Sequence, residues 1–393
     1  MDERDETSVG VYVHVPFCER VCPYCDFAVL ATRSLAPANE AQYVDALLAE
    51  LGQRCGAFAG RSLASLYLGG GTPSLLQPES IARLVQAVRA RFPAQGPVEI
   101  TLEMNPGTLD RERLPGFRAA GVGRVSVGVQ SFDDQTLKRL GRAHRADEAR
   151  RTLRAAREAG FEAVCLDLLF AAPGQDLDDF SRDLDEAVAF APEHVSAYEL
   201  TLEGETPFAK AGRERLALPG EDTGVAMLEL AERRLTDAGY ERYELSNYAR
   251  PGCQAVHNRR YWERRPVLGL GMGAVSSDPR DASAPYGRRR TNPRQLSQYL
   301  AQLQAGSPAD LALSECLEAA TARGEAAFLA LREARGLAAA AFAREFGAPP
   351  RGFWAEAIDT LVGRGLLEEG PGGDLRLTRE GRLLADSVFQ YFV

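Results

Sequence analysis

The chain has 393 residues, of which 45% are hydrophobic and 26% are charged, a balance typical of a globular protein and not of a disordered one. Its net charge of −9 argues against broad affinity for nucleic acid, because binding to phosphates needs a basic surface. No apolar run reaches the ~20 residues that cross a bilayer, and the acidic, polar N-terminus does not look like a signal peptide, so we expect a cytoplasmic protein.

The first two thirds of the chain alternates short β-rich runs with amphipathic helices. The predicted strands are Val11–Val15, Ser65–Leu68, Val98–Met104, Arg124–Val129, Ala163–Phe170 and His194–Leu202. The helices predicted between them include Ala41–Leu51, Ser80–Ala90, Ala146–Glu158 and Leu177–Phe190. This alternation is typical of βαβ units in a parallel sheet. Because a complete barrel has eight units, we predict an α/β fold with a partial, TIM-like (β/α)6 barrel over residues 1–240.

The pattern changes after residue 220. A predicted helix, Glu221–Ala238, leads to a strand-like stretch, Tyr240–Leu245, and then to a loop rich in Gly, Pro and aromatic residues. We assign residues 241–290 to a connecting segment that closes the barrel. Residues 291–393 contain a helical region, Pro293–Arg364, and two short strands joined by a Gly-rich turn. This order indicates a C-terminal helical, winged-helix-like domain.

One cluster of positive charge departs from the acidic balance, namely Arg288, Arg289 and Arg290, followed by Arg294. Such a run most often lies in a solvated loop, and the alternative is a patch that meets an anionic partner. The acidic balance of the whole chain disfavours a role in which the winged helix binds nucleic acid.

Cysteines are concentrated near the N-terminus, where three of the seven occur within eight residues. In a reducing compartment this points to metal and not to disulfides. Cys18, Cys22 and Cys25 have the spacing Cys-x3-Cys-x2-Cys after the first predicted strand. Three such thiolates can each bind one iron of a cubane and leave the fourth iron open to a chelating ligand. The alternatives are plain buried cysteines and a zinc site completed by His14 or by a distant cysteine.

The segment YVHVPFCERVCPYCDF resembles the signature of the radical S-adenosylmethionine (SAM) family. Within that family it is similar to the branch of the oxygen-independent coproporphyrinogen III oxidases and the HemW-type haem chaperones, and the similarity extends to the closing LTREGRLLADSV. The resemblance implies a [4Fe-4S] cluster on Cys18, Cys22 and Cys25 whose open iron binds SAM. It also implies one-electron cleavage of SAM to methionine and a 5′-deoxyadenosyl radical, with the barrel orienting the cofactor and excluding water.

The loop GGGTP follows the second predicted strand. Its glycines let the backbone approach a ligand closely and offer N–H groups to it. Polar side chains also recur at the carboxyl ends of apolar strands, where βα barrels bind ligands. By resemblance to the family, the residues expected to contact SAM are Tyr12, Tyr24, Gly70, Gly71, Thr72, Glu103, Gln130, Arg142 and Asp167.

Two departures separate this chain from the oxidases of the same branch. The oxidases have a fourth cysteine two residues after the third, where this chain has Phe27. They also have a long N-terminal arm over the active site, whereas about ten residues precede the first predicted strand here. Both departures argue against coproporphyrinogen III oxidase (dehydrogenase) activity.

The sequence His257-Asn258-Arg259-Arg260-Tyr261-Trp262 resembles the HNxxYW motif of the HemW-type haem chaperones. An imidazole can ligate haem iron axially, and aromatic rings offer flat faces to a porphyrin. The alternative is a barrel-closing strand whose His is hydrogen-bonded and whose aromatic residues fill the core, and Cys253 is an alternative thiolate ligand. The resemblance implies that His257, Asn258, Tyr261 and Trp262 bind haem, with His257 as axial ligand.

The function implied by the resemblance is delivery of haem to apo-haemoproteins, whether soluble or membrane-bound. The cluster and SAM would then have a structural or regulatory role. The alternative function is the oxidative decarboxylation of coproporphyrinogen III to protoporphyrinogen IX.

Overall fold

A large mixed β-sheet organises most of the chain. The structure, a computed structural model, describes residues 7–32, 34–304 and 313–393, without the side chains of residues 108–110. Twelve strands of this described part form one sheet, and seven adjacent ones are parallel. In spatial order the parallel strands are Val267–Leu270, Ser8–Val15, Ser62–Gly70, Glu99–Met104, Arg124–Gln130, Ala163–Phe170 and His194–Glu199.

The predicted α/β fold with a partial parallel barrel is confirmed, and the sheet is wider than predicted. Val267–Leu270 adds a seventh parallel strand beside Ser8–Val15. Antiparallel strands then extend both edges of the sheet. They are Val275–Asp278, Arg288–Thr291 and Leu313–Cys316 on one side, and Asn247–Ala249 and Glu241–Arg242 on the other.

Helices connect the parallel strands, and two of them match the sequence prediction at both ends. Leu177–Phe190 begins after Asp176, whose side chain accepts a hydrogen bond from the Asp179 N–H, and it ends before Ala191 in the left-handed conformation. Ala146–Glu158 is the second match. The other helices of this region are Pro37–Arg54, Pro78–Arg91, Thr108–Ala119, Asp134–Arg139, Pro207–Ala211, Arg213–Leu216 and Glu221–Asp237, with 3-10 turns at Cys55–Phe58 and Pro73–Leu75.

The C-terminal region forms a second hydrophobic core, separate from that of the barrel. Buried residues such as Phe342, Ile358, Leu361 and Val388 pack together in it. The predicted wing is present as the antiparallel pair Leu367–Glu369 and Leu375–Leu377. The helices of this core are Ala319–Arg332, Ala339–Phe346, Arg351–Gly363, Arg379–Leu383 and Ala385–Phe389. The preceding helix, Leu296–Gln304, packs its Tyr299 and Leu303 into the barrel core. None of the helices in the described residues has the length and hydropathy needed to cross a bilayer.

Three sequence predictions for the region after the barrel strands were wrong. The strand-like Tyr240–Leu245 is a strand only at Glu241–Arg242, and the next short strand, Asn247–Ala249, lies beyond it. The loop expected before residue 290 contains strands and the helix Val256–Trp262. The helical region Pro293–Arg364 is interrupted by the strand Leu313–Cys316, and its residues 305–312 lie outside the described residues. These short elements are fixed by pairing with distant strands, which local propensity does not report.

The sequence prediction that the arginine run lies in a solvated loop was also wrong. Arg288, Arg289 and Arg290 lie in a strand and are half-buried. Arg290 donates to Asp278 at 2.6 Å, and Arg289 pairs with Glu325 of the C-terminal domain. Acidic partners from other elements therefore compensate for the local concentration of charge.

A buried carboxylate on the first helix, Glu50, connects that helix by hydrogen bonds to residues 271–299 near one edge of the sheet. Glu50 has no solvent exposure and accepts hydrogen bonds from Arg54 at 3.1 Å, Asn292 at 2.7 Å, Tyr299 at 2.7 Å and the Gly271 N–H at 2.8 Å. A buried charge is tolerated when it is paired and fully hydrogen-bonded. One side chain thus joins helix Pro37–Arg54, the turn after Val267–Leu270 and helix Leu296–Gln304.

We predict that Glu50→Ala lowers the free energy of unfolding by about 3–5 kcal/mol, because it leaves the Arg54 charge and several donors buried without their acceptor. Asp45→Ala is the matched control on the same helix, since Asp45 pairs with Arg83 at the surface and its loss should cost below about 1 kcal/mol. Urea denaturation measures both. Equal effects of the two substitutions would contradict this role of Glu50.

Candidate functional site

A cavity of 310 Å³ opens at the carboxyl ends of the parallel strands and continues down the inside of the barrel. We call it the cofactor cavity. Many of the residues predicted from the sequence line it, namely Cys18, Cys22, Tyr24, Cys25, Gly70, Gly71, Glu103, Gln130, Arg142, Asp167 and Asn258. Tyr12, Thr72, His257, Tyr261 and Trp262 are not part of its lining.

The three clustered cysteines lie on the loop that follows the first barrel strand. Cys18 is buried, whereas Cys22 and Cys25 are half-buried. Thr72 Oγ1 donates to Cys18 Sγ at 3.5 Å, and Arg142 donates to Cys22 Sγ at 3.5 Å. Burial raises the pKa of Cys18 to about 11, so binding of metal has to displace its proton.

The donor set fits a cubane better than a single metal ion. Among the described residues, no three His, Cys, Asp or Glu side chains converge on one ion position, whereas in a [4Fe-4S] cluster each thiolate binds a different iron. His14 is no nearby fourth zinc ligand, because its Nε2 lies 2.8 Å from Ala28 O and its Nδ1 lies 3.1 Å from the Tyr12 hydroxyl. Gly71 leaves room for the loop, since a Cβ there would lie 2.9 Å from Cys18 Sγ.

Glu103 is held from both sides on the wall of the cofactor cavity. Tyr67 donates its hydroxyl to Oε1 at 2.7 Å, and the Gly70 N–H donates to Oε2 at 3.0 Å. Burial raises the pKa of Glu103 to about 7. Asp167 accepts from Ser126 at 3.2 Å, and burial raises its pKa as well. Two carboxyl groups therefore face a space that suits a ligand with ammonium or hydroxyl donors.

Arg142 is one of three arginines that line the same cavity, with Arg20 and Arg124. It donates to the Gly128 carbonyl at 3.0 Å and to Asn105, in addition to Cys22. Its buried Nε has no hydrogen-bond partner within the part of the chain that the structure describes. An unsatisfied buried donor is costly, and a ligand carboxylate would satisfy it. Gln130 reaches the cavity from a left-handed backbone conformation, φ 66°, at an irregularity in its strand.

Of the remaining predicted SAM residues, Tyr12 and Thr72 lie behind the lining of the cavity, whereas Tyr24 is part of it. Tyr12 stacks on Tyr67, with ring centroids 6.2 Å apart. Thr72 accepts a hydrogen bond from Asn105 at 2.7 Å and donates to Cys18. Tyr24 lines the cavity and contacts Phe208.

Sequence reasoning missed Asn105, Tyr67 and Ser126, which hold the predicted residues in place. Asn105 lies two positions after Glu103, just beyond the end of the strand. Because ligand-binding residues of βα barrels follow the strands, Asn105 could have been predicted from its position. Tyr67 and Ser126 lie inside strands of mainly apolar residues. A hydroxyl inside such a strand was the available signal for both.

The HNxxYW segment is a helix, Val256–Trp262, and not the strand considered as an alternative. We call it the motif helix. It closes the amino-terminal end of the barrel, opposite the cysteine loop, because Glu99 accepts from the Val256 and His257 N–H groups at 3.1 and 3.0 Å. Arg260 donates to Ser8 at the start of the first strand.

His257 points into the barrel and is only 1% exposed. Its Nδ1 lies 2.9 Å from Ser65 Oγ and its Nε2 lies 3.2 Å from the Tyr261 hydroxyl. The ring stacks on Tyr67 with centroids 5.2 Å apart. Burial lowers the pKa of His257 to about 3, so the imidazole is neutral, and in this conformation both ring nitrogens are engaged.

The motif residues thus face different spaces. Asn258 lines the cofactor cavity from below. Trp262 lies on the opposite side, toward the C-terminal domain, with the Arg332 guanidinium 4.8 Å from its ring centroid. Cys253, the alternative thiolate, is half-buried and packs beside Tyr243, Ala249 and Ala255. The structure does not bring the four predicted haem-binding side chains together on one surface.

We predict that affinity for SAM falls as the pH drops below about 7, because Glu103 then carries a proton that a cationic ligand group must displace. The decrease should approach about tenfold per pH unit. Calorimetric titration of anaerobic, cluster-loaded protein between pH 6 and pH 8 measures it. Glu103→Gln, which has no proton to lose, should flatten the profile. A wild-type profile as flat as that of Glu103→Gln would contradict the assignment.

Comparisons with known proteins agree with this geometry. Residues 12–187 match the model of the radical SAM superfamily, and residues 317–384 match the model of the HemN C-terminal domain. The chain is 41% identical over 266 residues to the Heme chaperone HemW of Escherichia coli (strain K12). The matched region covers 68% of this chain and 69% of that protein. It is 32% identical over 391 residues to the Heme chaperone HemW of Bacillus subtilis (strain 168). This matched region covers 98% of this chain and 99% of that protein.

Among solved structures, coproporphyrinogen III oxidase (HemN) from Escherichia coli, a radical SAM enzyme, has a TM-score of 0.81 and 25% sequence identity, over 99% of this chain and 90% of that chain. The fold is therefore shared along the whole length, and the sequence relationship to the HemW proteins is the stronger of the two. The chain belongs to the HemW family of radical SAM proteins.

Proposed function

We propose that the protein is a haem chaperone, which binds haem and delivers it to apo-haemoproteins. The similarity to Heme chaperone HemW over nearly the whole chain carries the proposal. The intact HNxxYW segment supports it, because that segment forms one helix between the cofactor cavity and the C-terminal domain.

The proposed cofactors are a [4Fe-4S] cluster on Cys18, Cys22 and Cys25, and SAM beside it. When bound, the pair supplies one-electron chemistry. The chain's own contribution is placement, because Gly70 and Gly71 let the backbone approach the ligand. Glu103, Gln130 and Asp167 offer oxygen acceptors to its amine and hydroxyl groups, and Arg142 offers its free Nε to its carboxylate.

The proposed haem-binding residues are His257, Asn258, Tyr261 and Trp262, with His257 as axial ligand. Ligation through Nε2 requires the Tyr261 hydroxyl to move away, since the two atoms are 3.2 Å apart. The neutral state of the imidazole favours ligation, because a protonated ring has no free lone pair. Movement of the short motif helix relative to the first barrel strands is therefore part of the proposal.

The second candidate function is oxidation of coproporphyrinogen III, which the structural likeness to HemN favours. Phe27 stands against it, because it occupies the position of the oxidases' fourth cysteine and its side chain is 66% exposed beside the cofactor cavity. A phenyl ring there presents an apolar surface and no thiol.

We propose a cytoplasmic location and acceptor haemoproteins that include membrane-bound ones.

Anaerobic, cluster-reconstituted protein tests the two functions in parallel. One sample receives haemin and is passed through gel filtration, and the other receives coproporphyrinogen III, SAM and a reductant. We expect haem absorption to elute with the protein and no protoporphyrinogen to form. Turnover to protoporphyrinogen without retained haem would contradict the chaperone function and identify an oxidase.

A further inference from the structure

A cavity of 820 Å³ lies between the amino-terminal end of the barrel and the C-terminal domain. We call it the interdomain groove. One wall is formed by the motif helix and the residues after it, and includes Arg259 and Trp262. The other wall comes from helices Ala319–Arg332 and Ala339–Phe346 and from the strand Leu375–Leu377. The groove therefore lies on the opposite side of the motif helix from the cofactor cavity.

The groove has an apolar lining of mostly small side chains. Trp262 faces Ala326, Ala330, Ala338, Ala341 and Phe342 across it. Small side chains leave a flat surface, and the volume falls within the range of about 300–1,000 Å³ found for organic ligand sites. A flat, apolar ligand suits this lining.

Positive charge dominates the polar part of the groove. Among the described residues, its lining includes seven arginines and three acidic residues. Arg259 is neutralised by Glu263 at 2.9 Å and Glu333 at 3.2 Å, and Arg335 pairs with the same two carboxylates. The lining thus contains more arginines than carboxylates, and Arg264 is compensated from outside it by Glu325 and Glu345.

Two of the lining arginines remain without an acidic partner. Arg344, on helix Ala339–Phe346, and Arg376, on the strand Leu375–Leu377, are exposed, and the described part of the chain places no carboxylate within ion-pair distance of either one. Arg376 donates its Nε to the Arg335 carbonyl at 3.0 Å, which leaves its terminal nitrogens available. Both arginines belong to the C-terminal domain and can pair with anionic groups without breaking an existing ion pair.

We propose that the interdomain groove is the binding site of haem, with the porphyrin plane against Trp262 and the alanine surface and its two carboxylates paired with Arg344 and Arg376. This rests on the proposed haem-chaperone function and adds the place and the polar contacts of the ligand. Haem combines a flat apolar ring with two carboxylates, which matches the flat apolar lining and the two uncompensated cations. Trp262 is the HNxxYW side chain that lines this groove, whereas His257 faces the barrel interior. Ligation of the iron by His257 therefore requires the movement of the motif helix to turn this side chain toward the groove.

Titration of the full-length, cluster-reconstituted protein with haemin tests the site. The double variant Arg344→Ala, Arg376→Ala should bind haemin about tenfold more weakly, since each exposed charge pair contributes up to about fivefold. Arg154→Ala is the matched control, because Arg154 is an exposed arginine on the barrel helix Ala146–Glu158 and its loss should leave the affinity unchanged. Haemin dimethyl ester, which has no free carboxylate, should bind wild type and double variant equally.

A second variant tests the apolar surface. Ala341→Glu places a negative charge in the groove and should weaken haemin binding at least as much as the double variant. Thermal unfolding should show that the fold is retained.

Wild-type haemin affinity in the double variant, or a dimethyl ester that still distinguishes wild type from the double variant, would overturn the groove as the haem site. Failure of wild type itself to retain haemin would overturn the proposed function on which it rests.

Discussion

The motif helix closes the amino-terminal end of an incomplete barrel, and the cofactor cavity and the interdomain groove both depend on that closure. Its first turn is held by the Glu99 carboxylate, and its Arg260 side chain reaches under the first strand to Ser8. Gly10 makes this approach possible, because a Cβ there would lie 2.7 Å from Arg260 Cδ. Without the helix, the lower end of the barrel would be open, and Ser65 and Tyr67 would lose their contacts with His257.

Inside the barrel, a column of ring side chains connects this lower end to the cysteine loop. His257 stacks on Tyr67, Tyr67 donates to Glu103, and Glu103 accepts from the Gly70 backbone beside the cysteines. Each polar atom in this column has a partner, as buried polar groups require. Substitution of His257 therefore removes a possible haem ligand and at the same time a support of Tyr67 and Glu103. Loss of haem in such a variant needs a spectroscopic readout before it can be assigned to ligation.

The sequence predicted the barrel well and its closure poorly, for identifiable reasons. Leu177–Phe190 has a capping box at its start and Ala163–Phe170 is an almost continuous apolar run, so local chemistry determined their ends. The motif helix has seven residues and is stabilised by contacts with Glu99 and Ser8, far away in the sequence. Its spacing did contain a signal, because His257 and Tyr261 are four residues apart, as are Asn258 and Trp262, which places the two pairs on different faces of a helix. The interdomain groove depends on how two separate cores pack, which no local pattern reports.

Absorption and EPR spectra of the ferric haem complex would show whether the HNxxYW segment binds haem through its histidine. Wild type, His257→Ala and His144→Ala are compared, since His144 is also buried, with a pKa lowered to about 3, but lies outside the segment. If His257 ligates the iron, the haem spectra change in His257→Ala and stay as in wild type in His144→Ala. Identical haem spectra in all three proteins would contradict axial ligation by His257.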